Sequence, residues 1–251
     1  MKYKERIVLL VGGNNVDYLQ SGLKCFLKYK KDISIIIFTK NCSMRIKTIV
    51  KKFSPKSNYF NSNKPCQNKK LMFTIQDETY LGFNLGFNYL ISKKFLKKIK
   101  IVNPHPSYLP FNKGSHHSFW SIIDGTPAGA TIHWMNSKFD SGNIIKRQKL
   151  KLDKYISAEI IQKKSENLSI KLLSEVINKI LKNFSNSIKQ KKGTYHFKKD
   201  IKTKDTLKYN QSIKIKDLFK LIRATYNKEN GFYIQLKNEK FFIKIDKYLK
   251  I

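Results

Sequence analysis

Apolar and polar positions along the chain follow two periods, one of strands and one of helices. Arg6–Val11, apolar from Ile7 onward, ends at Gly12-Gly13 and predicts a first buried strand. Val16, Leu19, Leu23, Phe26 and Leu27 follow at helical spacing and predict a helix over Val16–Tyr29. Ile33–Phe38 is nearly all β-branched and predicts a second strand. Strand, helix and strand joined by short turns open a parallel α/β sheet. Residues 54–70, rich in Ser, Asn, Pro and Lys, read as loop. Leu71–Ile75 and Leu81–Leu85 read as short strands, Ser92 as the N-cap of a helix over Lys93–Lys98, and Ile99–Val102 as another strand. Residues 104–114, with Pro104, Pro106 and Pro110, read as loop; a helix over Ser115–Ile123 and strands over Ala130–Met135 and Ile144–Leu150 follow. A helical pattern runs over 157–187, and the charged stretch Lys189–Lys208 reads as a boundary. From Ile213 the tail predicts a helix through Arg223, then a hairpin of Gly231–Leu236 and Lys240–Ile245 joined across Lys237-Asn238-Glu239. The expected fold class is α/β, a mostly parallel Rossmann-like sheet over residues 1–200 with a small C-terminal helix and β-hairpin over 201–251.

Composition narrows the classes. No run of 18 or more apolar residues exists, so no membrane span is expected. The short apolar run at the start reads as a strand and not as a signal peptide. Cys25, Cys42 and Cys66 are scattered, form no C-x-x-C pair, and read as isolated thiols of a reducing cytoplasm; no metal site is expected. The net charge is +34, which raises the question of a nucleic-acid partner. Only four of the 51 basic residues are arginine, however, and the lysines spread evenly among Asn and Ile. Nucleic-acid recognition usually enlists arginine forks. The composition reads instead as that of an AT-rich genome, the charge still being able to attract an anionic substrate.

Candidate chemistry concentrates in one stretch. Four of the five histidines, both tryptophans and four of the six prolines lie between positions 103 and 134. Position 103 follows a predicted strand, and open α/β sheets bind ligands beyond the carboxyl ends of their strands. Asn103 and His105, two apart, share one face of an extended segment. An amide with an imidazole can hold a developing oxyanion, and the imidazole can move a proton. Taken singly, Asn103 also reads as a strand-end cap, His105 as a structural histidine and Asp140 as a turn residue before Gly142.

Taken together these residues resemble a known family. Asn103-Pro104-His105-Pro106-Ser107-Tyr108-Leu109-Pro110 is similar to the N-x-H-P-S-x-L-P signature of folate-dependent formyltransferases. Gly129–Met135 resembles their G-x-T-x-H-x-M segment, and Asp140-Ser141-Gly142-Asn143-Ile144-Ile145 their D-[ST]-G-x-I-[IL] segment. Leu81–Ser92 resembles the strand and loop that enclose the pterin. The resemblance is firm over 75–155 and weaker over 1–40. Pro104 stands where the family often has an aliphatic residue, and Tyr80 where an acidic one is common. The resemblance implies N10-formyltetrahydrofolate as formyl donor, with Asn103, His105 and Asp140 as the catalytic trio. It implies that Phe87, Tyr89, Leu90, Ile91, Asn136 and Phe139 hold the pterin, and that direct transfer needs no metal and no covalent nucleophile.

The acceptor follows from finer likenesses. Lys113–Trp120 resembles the K/R-G-x-H-x-x-x-W region of sugar N-formyltransferases, as do Gly193-Thr194-Tyr195-His196, Lys199-Asp200 and the closing helix and hairpin. This implies a nucleotide-linked amino sugar as substrate, with Lys113, Gly114, His116, Trp120 and Tyr195 binding it, and a homodimer joined through the C-terminal region. Trp120, on a predicted helix, also reads as core, and His116 and His117 as surface polar residues. The competing readings are methionyl-tRNA formylation and, from another class, a basic nucleic-acid-binding protein with an inactive formyltransferase-like fold.

Overall fold

The computed structural model describes residues 6–75, 80–153, 155–183, 186–203, 206–225 and 232–243, with the side chains of 202 and 203 left aside. Residues 184–187 of the predicted long helix fall partly outside this set, as do Gly231 and Ile245 at the ends of the predicted hairpin.

Four parallel pairs build most of a seven-stranded sheet. β1 (Ile7–Val11), α1 (Val16–Lys24), β2 (Ile33–Phe38), α2 (Met44–Phe53), β3 (Asn58–Asn61), α3 (Lys69–Thr74), β4 (Tyr80–Leu85), α4 (Lys93–Leu96) and β5 (Ile99–His105) come first. Then follow β6 (Lys113–Gly114), α5 (His117–Ile123), β7 (Gly129–Trp134), β8 (Ile144–Lys149) and the long α6 (Ala158–Leu181). The sheet order is β3-β2-β1-β4-β5-β7-β8, parallel as far as β5 and antiparallel through β7 and β8. β1 is an unbroken apolar run, and β2 is interrupted only by the half-buried Ser34, because both faces are covered. Leu9, Val11, Ile36 and Phe38 pack with α1, α2 and α6 on one face; Val8, Leu10, Ile35 and Ile37 pack with Leu71 and Phe95 on the other. Burying each such side chain stabilises the fold by about 1.5–3 kcal/mol.

The remainder departs from the sequence pattern in four places. Leu71–Ile75 is not a strand: Asn68 caps α3 by accepting from Leu71 N at 3.0 Å, and Leu71 and Ile75, one helical turn apart, are the buried pair. The strand of the seven-stranded sheet missing from the expected set is β3, inside the stretch read as loop. As an edge strand it buries only Phe60 fully and Tyr59 in part, so it carries no apolar alternation. The first helix ends at Lys24 and a 3-10 turn over Leu27–Asp32 completes the crossover. β5 runs on through Asn103 and Pro104 to His105. Beyond Val102 only β7 flanks it, and a proline is tolerated on such an edge.

The Lys-rich stretch carries main-chain pairing of its own. β9 (Tyr195–His196) returns to pair in parallel with β6, and Ile188 bridges to Ile144. β10 (Thr206–Lys208), α7 (Ile215–Thr225), β11 (Phe232–Leu236) and β12 (Glu239–Ile243) complete the described chain, the strands forming a small sheet in the order β10-β11-β12. Leu221, Ala224 and Phe232 share an apolar core with Phe119 and Trp120 of α5, so the C-terminal elements are packed onto α5. Among the described residues no helix is long and apolar enough to cross a membrane.

Candidate active site

A cleft of about 590 Å³ opens at the carboxyl ends of β1, β4 and β5. Its floor depends on two glycines. Gly12 and Gly86 face each other so closely that a Cβ on either lies 2.7 Å from the other's carbonyl oxygen, and Gly86 has φ +88°. Next to them Asn84 closes a turn: its Oδ1 accepts from Phe87 N at 2.7 Å, and its Nδ2 donates to Phe87 O at 3.1 Å.

The same Asn84 amide donates to Asn103 Oδ1 at 3.0 Å, which fixes the face that Asn103 presents. Asn103 Nδ2 lies 3.1 Å from His133 Nε2, and His133 Nδ1 lies 2.8 Å from Trp134 O. A carbonyl only accepts, so Nδ1 carries the His133 proton and Nε2 accepts from Asn103. Burial, with the nearby His105, pushes His133 down to about 4 against the raising effect of Asp140, so the ring is neutral as this tautomer requires. One hydrogen of the Asn103 amide remains for a ligand.

Asp140 sits in the left-handed region at φ 50°. Its Oδ2 accepts from Gly114 N at 3.0 Å, and its Oδ1 lies 3.6 Å from His105 Nδ1. Burial by itself would raise the Asp140 carboxyl, but His105, His133 and the Gly114 N–H outweigh it and hold the group below its ordinary value. The 3.8 Å approach of His133 Nε2 to Asp140 Oδ1 is not a hydrogen bond, because that nitrogen carries no proton in the neutral tautomer above. His105 Nε2 is buried and has no hydrogen-bond partner among the described residues. His117 packs a third imidazole 5.5 Å from His105, ring centre to ring centre, and burial and His105 push it down to about 3.

The motif residues around the trio have visible tasks. Thr131 Oγ1 accepts from Leu109 N at 3.0 Å and donates to Ser107 O at 2.8 Å, tying the proline loop to β7. Gly142 passes so near β7 that a Cβ would lie 1.7 Å from Trp134 O.

Of the residues expected to form the site, Asn103, His105, Asp140, Phe87, Tyr89, Leu90, Asn136, Phe139, Gly114 and Tyr195 line the cleft. Four others do not. Ile91 is fully buried in the core behind the cleft wall. Lys113 is half-buried beside it, its ammonium pushed down by burial against the raising effect of Asp140, and its neighbour Gly114 supplies the N–H that meets the carboxylate. His116 occupies the left-handed N-cap of α5. Trp120 is 5% exposed, sits in the α5 core and stacks on His196 at 3.9 Å and 4°. The sequence reading gives no site role to Asn84, His133, His117 or Gln190, although all but Gln190 stand in recognised segments.

An α/β sheet brings an amide, an imidazole and a carboxylate together at its strand ends, and the chain belongs to the Formyl transferase family, whose model matches residues 6–177. Among curated relatives, a dTDP-4-amino-4,6-dideoxyglucose formyltransferase of Mycobacterium bovis is 35% identical over 60 residues, 24% of this chain and 26% of that protein. A methionyl-tRNA formyltransferase of Staphylococcus epidermidis is 28% identical over 131 residues, 51% of this chain and 42% of that one. The matches therefore span less than half of either relative. Of solved structures, a 4-N formyltransferase from Francisella tularensis superposes with TM-score 0.79 at 23% identity, covering 98% of this chain and 99% of that one. An N-formyltransferase from Helicobacter canadensis, in complex with folinic acid and dTDP-3-aminofucose, superposes with TM-score 0.69 at 20% identity, over 94% and 85%. At these identities the structures establish the shared fold.

Proposed function

We propose that this protein transfers the formyl group of N10-formyltetrahydrofolate to the amine of a nucleotide-linked amino sugar, a dTDP- or UDP-amino-dideoxyhexose. The observation that carries the reading is the cleft in which Asn103, His105 and Asp140 meet beside uncovered apolar surface. Leu90 and Phe139 are 47% and 40% exposed where they line it. Such surface fits a flat heteroaromatic ring, and the turn held by Asn84 offers main-chain groups beside it. The folate supplies the activated formyl carbon. The remaining Asn103 N–H stabilises the negative charge that develops on the formyl oxygen. His105, faced by the ionised Asp140, takes the proton that the attacking amine loses and returns it to the departing nitrogen. One C–N bond forms and one breaks, so neither a metal nor a covalent intermediate on the protein is required. Among the described residues no group of three or more His, Cys, Asp or Glu is placed to hold a metal.

The acceptor is argued from the cleft mouth. Tyr195 and Phe197 form an edge-to-face pair with ring centres 4.9 Å apart, both line the cleft, and Lys198 and Lys138 line it too. Aromatic faces with lysines suit a base and a pyrophosphate, a handle remote from the reacting amine. The named activities of the Mycobacterium and Helicobacter relatives support this choice. The proposal extends to a cytoplasmic homodimer serving surface-polysaccharide synthesis, joined through β11–β12, where Phe241 and Phe242 are about half exposed. The second reading, methionyl-tRNA formylation, draws on the Staphylococcus relative and on the net charge of +34. Incubation with N10-formyltetrahydrofolate and a panel of dTDP- and UDP-amino sugars, followed by product mass, tests the choice. The expected result is an added formyl group on one of them and poor turnover of the free amino sugar. Formylation of initiator methionyl-tRNA with no activity on any nucleotide-sugar would promote the second reading.

A further inference from the structure

The carboxylate of Asp140 is aimed by contacts on both sides of its loop, and one of them lies outside residues 6–177, the part of the chain that the family model matches. Gln190 Nε2 donates to Asp140 O at 2.9 Å and to Gly142 O at 2.7 Å. Both hydrogens of one side-chain amide are thus spent on the two carbonyls that flank Ser141. Between them the chain has little freedom of its own to hold this shape: Asp140 is in the left-handed region, and Gly142 is pressed against Trp134 O. Gln190 Oε1 is buried with no hydrogen-bond partner among the described residues, so the donors are what the site uses.

The strap that carries Gln190 is anchored at both ends. Before it, Ile188 exchanges two main-chain bonds of 2.8 Å with Ile144. After it, Gly193 passes against Pro110 O, Thr194 Oγ1 accepts from Asn112 N at 2.7 Å, and β9 pairs with β6. β6 contains Gly114, whose N–H holds the Asp140 carboxylate. One short segment therefore fixes the Asp140 main chain through Gln190 and the Asp140 side chain through β6.

We infer that Gln190 is a positioning residue for the transfer: it pins the backbone at 140 and 142 so that the Asp140 carboxylate meets His105. The inference rests on the function proposed above. A carboxyl group placed short of or askew from its imidazole costs rate while leaving substrate contacts alone. Gln190 is not among the residues that line the cleft, so its loss is expected to act on kcat and not on KM.

The test uses the full chain with Gln190→Met, which keeps the length and removes the donors, and Gln190→Glu, which keeps the shape and sets an anion against two carbonyls. Both are expected to lower kcat by about 10- to 100-fold with KM for each substrate unchanged, Glu the more severely. In the Asp140→Asn background, Gln190→Met is expected to cost nothing further, since the group it positions is gone. Amide exchange across 139–143 is expected to quicken in either variant, whatever the reaction. Turnover equal to wild type, a loss confined to KM, or an equal loss in the Asp140→Asn background would each overturn the inference. Absence of formyl transfer by the wild-type protein strikes the proposed function instead, and unchanged exchange across 139–143 would then overturn the role of Gln190 on its own.

Discussion

At the scale of single residues the cleft is a set of groups whose protonation is decided by their neighbours. Asn84, Asn103 and His133 form a one-way chain of donors that ends on Trp134 O, so turning the Asn103 amide around would break both of its links. Asn103→Ala is expected to lower kcat by about 10²–10³ through loss of the oxyanion donor. Asn84→Ala is expected to lower it less, since Asn103 is then present but free to rotate. Steady-state kinetics on the accepted nucleotide-sugar distinguishes them, and an Asn84 variant as slow as Asn103→Ala would mean that the two act as one unit. The same neighbours make stability depend on pH. His117 and His133 stay neutral in the fold down to about 3 and about 4, while the unfolded chain protonates them near 6.5. Between those values the unfolded state binds more protons, so stability falls as pH drops from 7 toward 4, by at most about 1.4 kcal/mol per pH unit for each ring. Asp140, held low, adds stability that is present above its ordinary range and is lost as pH falls through its folded value. Thermal melts across that range check the slope; His133→Gln is expected to flatten it, and an identical slope in that variant would refute the burial argument.

Among the elements, what was legible in the sequence is what leaves a mark on residue type. β1 and β2 announce themselves because burial on both faces demands apolar side chains at all positions but Ser34. The Asn103–Pro110 and Gly129–Met135 segments are readable because their spacing reflects real ties, such as Thr131 to the loop at 107–109. β3 and α3 were missed where only one or two side chains of a short element face inward. Gln190 left no signal because its partners are main-chain carbonyls, which any residue would supply. Trp120 shows the converse case, in which a motif position suggests a ligand contact while the helix phase points it into the core. Its stack on His196, with His196 Nε2 3.0 Å from Asp124 Oδ2, joins α5 to β9. Trp120→Ala is therefore expected to cost about 3–5 kcal/mol of folding stability in denaturant titration, with KM for the nucleotide-sugar unchanged in the folded fraction. A raised KM with full stability would return Trp120 to the substrate site.

For the molecule as a whole the dominant fact is a net charge of +34 on 251 residues. Like charges confined to a folded volume repel one another more than along an extended chain, so the charge destabilises the compact state and salt should relieve it. The melting temperature is expected to rise as sodium chloride is added from low to moderate concentration. The activity should respond to the same series in a way that depends on the acceptor. A nucleotide-sugar presents two phosphates, so few lysines can be engaged and kcat/KM should fall shallowly with salt. Transfer RNA presents a row of phosphates, and log affinity falls with log salt in proportion to the number contacted, giving a steep loss. A single salt series read twice, by melting and by kcat/KM, thus separates charge that merely burdens the fold from charge that binds a polyanion. Rising stability with shallow loss of activity is the expected pair. A steep fall in activity on the accepted substrate would identify the lysine-rich surface as part of the binding site and move the acceptor toward nucleic acid.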